Sequence, residues 1–332
     1  MTRSNLTPDD YIDFMMATPR QVSACEAARC QPDLLKGPAH DAFTRLLHRL
    51  EPDSDALWSE VQPQVVRHRG VLVLDDSVLD KPYARKMELV TPQWSGKHKG
   101  VVRGIGLVTL LWTDGDRHLP CDYRLYDKTD GRTKNDHFRE LLQVAKERGF
   151  EPECVLFDSW YSSLENLKHL RSLGWRWLTR LKENRKVNLD RQGLRAVSEV
   201  EISPHGTRVW LEGYGLIKVF LIVSKDGDKQ YWATGDLELT ELERIKFAEW
   251  SWKIEEYHRG IKQLTNIERC QMRAGRAQRN HIGLALRAFL RFEAYCFRSG
   301  VNWLEALWSI TREAVRAYLR NPKYRLDACA SA

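Results

Sequence analysis

Along this chain the apolar positions change period at identifiable points, and each change marks a boundary. From residue 1 to 69 they recur at steps of three and four, punctuated by Pro32, Gly37-Pro38 and Pro52. Three helices are predicted there. One is capped by Asp9 and Asp10 and runs through Met16, one is opened by Pro19 and Arg20 and reaches Arg29, and one spans Ala42 to Leu50 with Phe43, Leu46, Leu47 and Leu50 on one side. At Gly70 the pattern becomes strand-like. Val71 to Leu74 is a wholly apolar run that reads as a fully buried strand, ending in Asp75-Asp76-Ser77. Val101 to Trp112 and His118 to Tyr126 read as a strand pair turned at Asp114-Gly115. Asn135 to Arg148 is an amphipathic helix with Phe138, Leu141, Leu142 and Ala145 inward. Cys154 to Phe157 repeats the buried-strand design and ends at Asp158. A helix capped by Ser162 or Ser163 runs to Leu173, and Trp175 to Leu181 is a further strand.

This succession describes a mixed α/β sheet. Val197 to Ile202, Thr207 to Leu211, Leu216 to Val223 and Gln230 to Thr234 then read as short alternating strands, an all-β insertion. Thr240 opens a long helix on which Trp250, Ile254, Tyr257, Ile261 and Leu264 share one face. Beyond Gly275 the chain is helical again, with Arg276, Arg279, Arg287, Arg291 and Arg298 interleaved among apolar residues. The expected organisation is a helical N-terminal domain over 1–69 that binds DNA or a partner, a core over 70–183, a β-insertion over 184–237, the second part of the core over 238–274, and a helical region over 275–332.

The 332 residues are 42% hydrophobic, which excludes wholesale disorder. No apolar run approaches the roughly 18 residues a membrane span needs. The first residues, Met1 to Asn5, lead into acids without an apolar segment, so no secretory signal is expected and a cytoplasmic, nucleoid-associated location is. The seven cysteines are scattered and read as reduced thiols rather than a zinc site. The net charge of +7 and pI near 9.0 fit a polyanionic partner, nucleic acid first. Arg103-Gly104-Ile105-Gly106 lacks a third glycine and a strand-to-helix context, so no nucleotide cofactor is expected.

Three acids stand out by position. Asp75 and Asp158 each follow a short buried strand, and Glu255 lies on the rim of the apolar helix face, with Lys262 two turns further on nearly the same side. Taken singly, each aspartate reads equally as a turn or cap residue and Glu255 as half of a surface pair. Taken together they offer an all-oxygen set suited to Mg²⁺, two such ions serving an in-line phosphoryl displacement. Lys97 and Lys99 flank a glycine-bearing turn and either reach phosphate or decorate an exposed loop. Arg276 and Arg279 either track a DNA backbone or form a solvated helix face.

Trp252 to Lys262, reading W-K-I-E-E-Y-H-R-G-I-K, resembles the glutamate motif of DDE transposases of bacterial cut-and-paste insertion sequences. Asp75-Asp76-Ser77 and Asp158-Ser159-Trp160-Tyr161-Ser162 resemble that family's two aspartate motifs, with Asp76 the alternative to Asp75 as first ligand. The resemblance covers roughly residues 70 to 270. It implies an α/β, ribonuclease H-like mixed sheet with an all-β insertion and helical flanks, and a metal-dependent enzyme that cleaves and rejoins DNA at the inverted-repeat ends of its own element. It further implies Asp75, Asp158 and Glu255 as catalytic metal ligands for Mg²⁺ or Mn²⁺, two ions in all. Lys262 and Arg259 would lie on phosphate, Trp252 would stack on a displaced base, and a homodimer would bridge double-stranded transposon ends and target DNA. Ala248 and Ser251 stand where hairpin-forming relatives have Tyr and Arg, which leaves the hairpin step open. The alternatives are a metal-dependent nuclease or resolvase without joining activity, and a transposase-derived DNA-binding protein without catalysis.

Overall fold

The computed structural model describes residues 6–18, 23–33, 37–96 and 98–322. The chain opens with helices α1 (Pro8–Ala17), α2 (Ala24–Arg29), α3 (His40–Arg49) and α4 (Asp55–Val61). The N-cap of α1 is Thr7 rather than Asp9 or Asp10: Thr7 and Asp10 cap reciprocally, Asp10 from the third helical position. The opening of the second helix at Pro19 and Arg20 lies outside the described residues. α4 was not expected, because its apolar positions, Leu57 and Val61, make a stripe of only one turn.

The core follows as β1 (Val71–Asp80), β2 (Thr91–Ser95), β3 (Gly100–Thr113), β4 (Leu119–Tyr126), α5 (Lys134–Glu147), β5 (Cys154–Phe157), α6 (Leu164–Ser172) and β6 (Trp177–Leu181). β1, β3 and β4 form an antiparallel set, while β5 lies parallel to β1 and β6 parallel to β5. The central order β4-β3-β1-β5-β6 is a ribonuclease H-like core.

Next come β7 (Lys186–Asn188), β8 (Arg195–Ala196), β9 (Thr207–Leu211), β10 (Gly215–Val223) and β11 (Lys229–Thr234). They extend the core sheet: β11 pairs antiparallel with β6, Leu178 to Leu181 against Thr234 to Tyr231. Among the described residues this gives one sheet of eleven strands. The strand expected over Val197 to Ile202 is instead a single 3₁₀ turn, Val197–Glu199, followed by irregular chain. Glu199 accepts from the Ala196 N–H at 2.9 Å, a local cap that competes with strand pairing.

α7 (Glu241–Ser251), α8 (Lys253–Leu264), α9 (Gly275–Ser299) and α10 (Trp303–Arg320) complete the chain. The long helix expected from Thr240 is therefore two helices that meet at Trp252. α1, α3 and α4 pack on α9, and one apolar core runs from Leu6 to Ala306. Buried polar ties fix that packing: the Asn280 amide donates to the Leu47 and Leu50 carbonyls, and the Tyr11 hydroxyl pairs with His281 Nδ1 at 3.0 Å. Among the described residues no helix is long and apolar enough to cross a membrane.

Candidate active site

β1 does not end at Asp75, as the apolar run implied, but continues to Asp80 along β3. What ends there is its other neighbour. The parallel ladder with β5 closes at Leu74 opposite Phe157, so Asp75 and Asp158 are the first residues past it on adjacent strands, whose spacing is about 4.8 Å. The polar run Asp75-Asp76-Ser77 therefore marks the loss of one edge partner, not the end of a strand.

α8 packs across β1 and supplies the third acid. Ile254, Tyr257, Ile261 and Leu264 are buried beneath it, and Tyr257 meets Phe289 edge to face at 5.1 Å. The turn at Trp252 starts a fresh helix, with Glu255 exposed in its first turn. There a carboxylate is favoured by the helix dipole.

The electrostatics link these acids. Asp75 is half-buried, and its carboxyl is held well above the usual carboxylate range, chiefly by burial. The charges of Asp76, Glu255 and Asp158 push it in the same direction, although the Asp76 N–H opposes them. Asp76 points to the other face of the strand, where it accepts from the Tyr161 hydroxyl at 2.8 Å and from Lys134 Nζ at 2.5 Å. Asp158 is bound by Arg180 at 2.8 Å. As the side chains stand, no three acid, histidine or cysteine groups among the described residues close into a metal cage. The donor chemistry nevertheless suits a hard divalent cation: three carboxylates share one electrostatic neighbourhood, and their mutual repulsion is what a bound cation would relieve.

The other sequence candidates are distributed as follows. Trp252 is 58% exposed beside Glu255. Lys262 reaches the Val78 carbonyl of β1 at 2.8 Å, with Glu268 at 3.8 Å, and so clamps α8 to the strand that carries Asp75. Arg259 is exposed on the wall of a cleft of about 670 Å³ between α8, α9 and α10, together with His118, Glu256 and Trp303. Lys97 lies outside the described residues, and Lys99 occupies the tight turn between β2 and β3 with a left-handed φ of 47°. Arg276 pairs with Glu51 and donates to the Leu50 carbonyl, and Arg279 pairs with Asp127 at 2.9 Å. Arg287 and Arg291 are likewise tied to Glu60 and Asp9. These arginines of α9 thus anchor neighbouring segments. Sequence reasoning passed over Arg180 and Lys134, because no local spacing signals partners that lie a helical crossover away on the adjacent strand (Asp158) or back in the chain beyond three intervening strands (Asp76).

Residues 8–200 match the family described as "DDE superfamily endonuclease", and residues 124–292 match "Archaeal putative transposase ISC1217". Between them the two matches span Asp75, Asp158 and Glu255. Among curated proteins none matches the chain. Among solved structures the fold is similar to a piggyBac transposase synaptic complex with hairpin DNA, with a TM-score of 0.53, 12% identity, and 97% of this chain and 75% of that one covered. At that identity the likeness speaks for the fold. Fainter matches are the Drosophila P element transposase strand transfer complex (TM-score 0.29, 12% identity, 95% and 65% covered) and the Mos1 transposase paired-end complex with left transposon end (0.20, 14%, 53% and 59%).

Proposed function

The chain belongs to the DDE superfamily of endonucleases and is a transposase of the insertion-sequence type, and on that premise we propose that Asp75, Asp158 and Glu255 are its catalytic acids. Its substrate is double-stranded DNA at the inverted-repeat ends of its own element. Enzymes of this superfamily use divalent metal; here the reading is two Mg²⁺ or Mn²⁺ ions. The observation that carries it is the company of Asp75, whose chief charged neighbours are Asp76, Glu255 and Asp158.

Asp75 and Asp158 lie on adjacent strands of the sheet, and Glu255 comes from the first turn of α8, which packs on β1; its charge acts on Asp75. Asp75, Asp158 and Glu255 would hold the divalent ions, which would supply Lewis-acid activation of the attacking oxygen and stabilisation of the leaving one. Asp75 is favoured over Asp76 as the first ligand, because Asp76 is committed to Tyr161 and Lys134 on the opposite face. In the first step a water oxygen forms a bond to phosphorus and the 3′-oxygen leaves, giving a free 3′-hydroxyl and a 5′-phosphate. In joining, that 3′-hydroxyl attacks a target phosphodiester; one P–O bond forms as another breaks, so no nucleotide triphosphate is required. Exposed Trp252 takes a displaced base. The helical regions 1–69 and 275–332 and the β-extension 184–237 accompany the core, and the region 1–69 serves DNA or partner contacts in a homodimer that bridges two ends.

Replacing Asp158 with Ala should abolish strand nicking in Mg²⁺ or Mn²⁺ while leaving DNA binding intact; a wild-type nicking rate would overturn the assignment. Strand-transfer products in a plasmid integration assay separate a transposase from a nuclease that only cuts.

A further inference from the structure

Beside Asp158 lies a group of side chains that the mechanism above does not use. Trp160 sits two residues past Asp158 in the turn Ser159–Tyr161 and is 59% exposed, although its neighbour Tyr161 is fully buried. That turn is rigid. Tyr161 stacks on Phe138 at 5.1 Å and bonds Asp76, and the Ser162 hydroxyl donates to the Ser159 carbonyl at 2.7 Å. The neighbouring strand β6 ends in Arg180-Leu181, and Lys182 follows directly. Leu181 is buried, while Arg180 and Lys182 face solvent, as strand alternation dictates. Lys182 Nζ stands 5.4 Å from the Trp160 ring centroid, and Arg180 bonds Asp158 while lying 6.0 Å from the Trp232 ring centroid.

We propose that Trp160, Lys182 and Arg180 form a nucleotide platform on the Asp158 side of the site, where Trp160 stacks on an unpaired base next to the cut phosphodiester and the two cations take flanking phosphates. The inference rests on the DNA-cleaving function above and adds to it a second exposed aromatic, beside Asp158 as Trp252 is beside Glu255. A fixed, exposed indole offers a face to any unpaired base, whereas a base inside a duplex is already stacked. The two cations lie two residues apart on the same side of the chain, within reach of the phosphates next to that base, and Arg180 passes from Asp158 to phosphate when Asp158 turns to its ligand role.

The test uses the full chain and two probes, a blunt DNA duplex and the same duplex with a short single-stranded overhang, followed by fluorescence anisotropy. Trp160→Ala should weaken overhang binding about tenfold and leave the blunt duplex unchanged, and Trp160→Phe should restore most of the loss. Arg180→Gln should lower the slope of log affinity against log salt by about one for the overhang probe and, without DNA, tighten Mn²⁺ binding in calorimetry. Equal losses on both probes, or no loss on either, overturn the platform. A wild-type chain that binds neither probe overturns the DNA-cleaving reading itself.

Discussion

Asp75 and Asp122 occupy almost the same level of one sheet, two strands apart, and have opposite surroundings. Across β3, Asp75 lies opposite Thr109 and Asp122 opposite Leu110, so the two carboxylates emerge on opposite faces. Asp122 is fully buried and held by Arg124 at 2.6 Å, Arg148 at 2.9 Å and the Tyr123 N–H at 2.7 Å. Asp75 has acids as its chief charged neighbours, and burial and like charge together hold its carboxyl up. One aspartate is neutralised by its own fold; the other, among acids, is the one proposed here to be neutralised by a cation from outside the chain. Burial alone does not separate a structural acid from a functional one. The sign of the neighbouring charges does.

The largest expected effects set these two residues against each other. Asp75→Asn should abolish nicking, yet the apo protein should become more stable by about 1 kcal/mol in urea unfolding with chelator present, because a repelled charge is removed. Asp122→Ala should cost about 3–5 kcal/mol, because Arg124 and Arg148 are left without their buried counter-charge. If both variants lose similar stability, the contrast between the two sites fails.

A smaller effect comes from pH. Burial pushes His258 and His281 down to about 3, so both are neutral in the folded chain. Unfolded, each protonates near its ordinary value of about 6.5. Their stabilisation is present above that pH and is lost as pH falls toward 3, by about 1.4 kcal/mol per histidine per pH unit at most. Asp75 acts in the opposite sense. Its folded value is raised, so its contribution is present at low pH and is lost as pH rises through that value. Asp75→Asn should therefore raise stability near neutrality and keep the acid limb, measured as unfolding midpoints across pH 4 to 8.

The sequence carried what burial fixes locally. Val71 to Leu74 and Cys154 to Phe157 form strands because nothing else buries such short apolar runs, and Ile254, Tyr257, Ile261 and Leu264 lie on the inner face of α8. Relations between distant segments were not legible. β6 and β11 could have belonged to separate sheets until their pairing joined them. The arginines of α9 read equally well as DNA contacts, since their partners Asp9, Glu51 and Glu60 lie more than two hundred residues away in sequence. For the candidate site, residue types and motif spacing were legible. Alternation along β1 put Asp75 and Asp76 on opposite faces, but only the packing of α5 and α8 tells which face is which.

Lys262 offers the finest test, because its two readings differ in which side of the site it serves. The family resemblance puts it on phosphate, whereas here its ammonium is on the Val78 carbonyl and near Glu268. If the clamp is its role, Lys262→Met should cost about 1.5–3 kcal/mol in urea unfolding, the range for a hydrogen bond to a charged group, and leave the salt dependence of DNA binding unchanged. If phosphate is its role, stability should hold while the salt slope falls by about one. Because Val78 lies three residues past Asp75 on the same strand, the first outcome also predicts reduced nicking with unaltered DNA affinity: α8, and Glu255 with it, would no longer be pinned to the strand that carries the first acid.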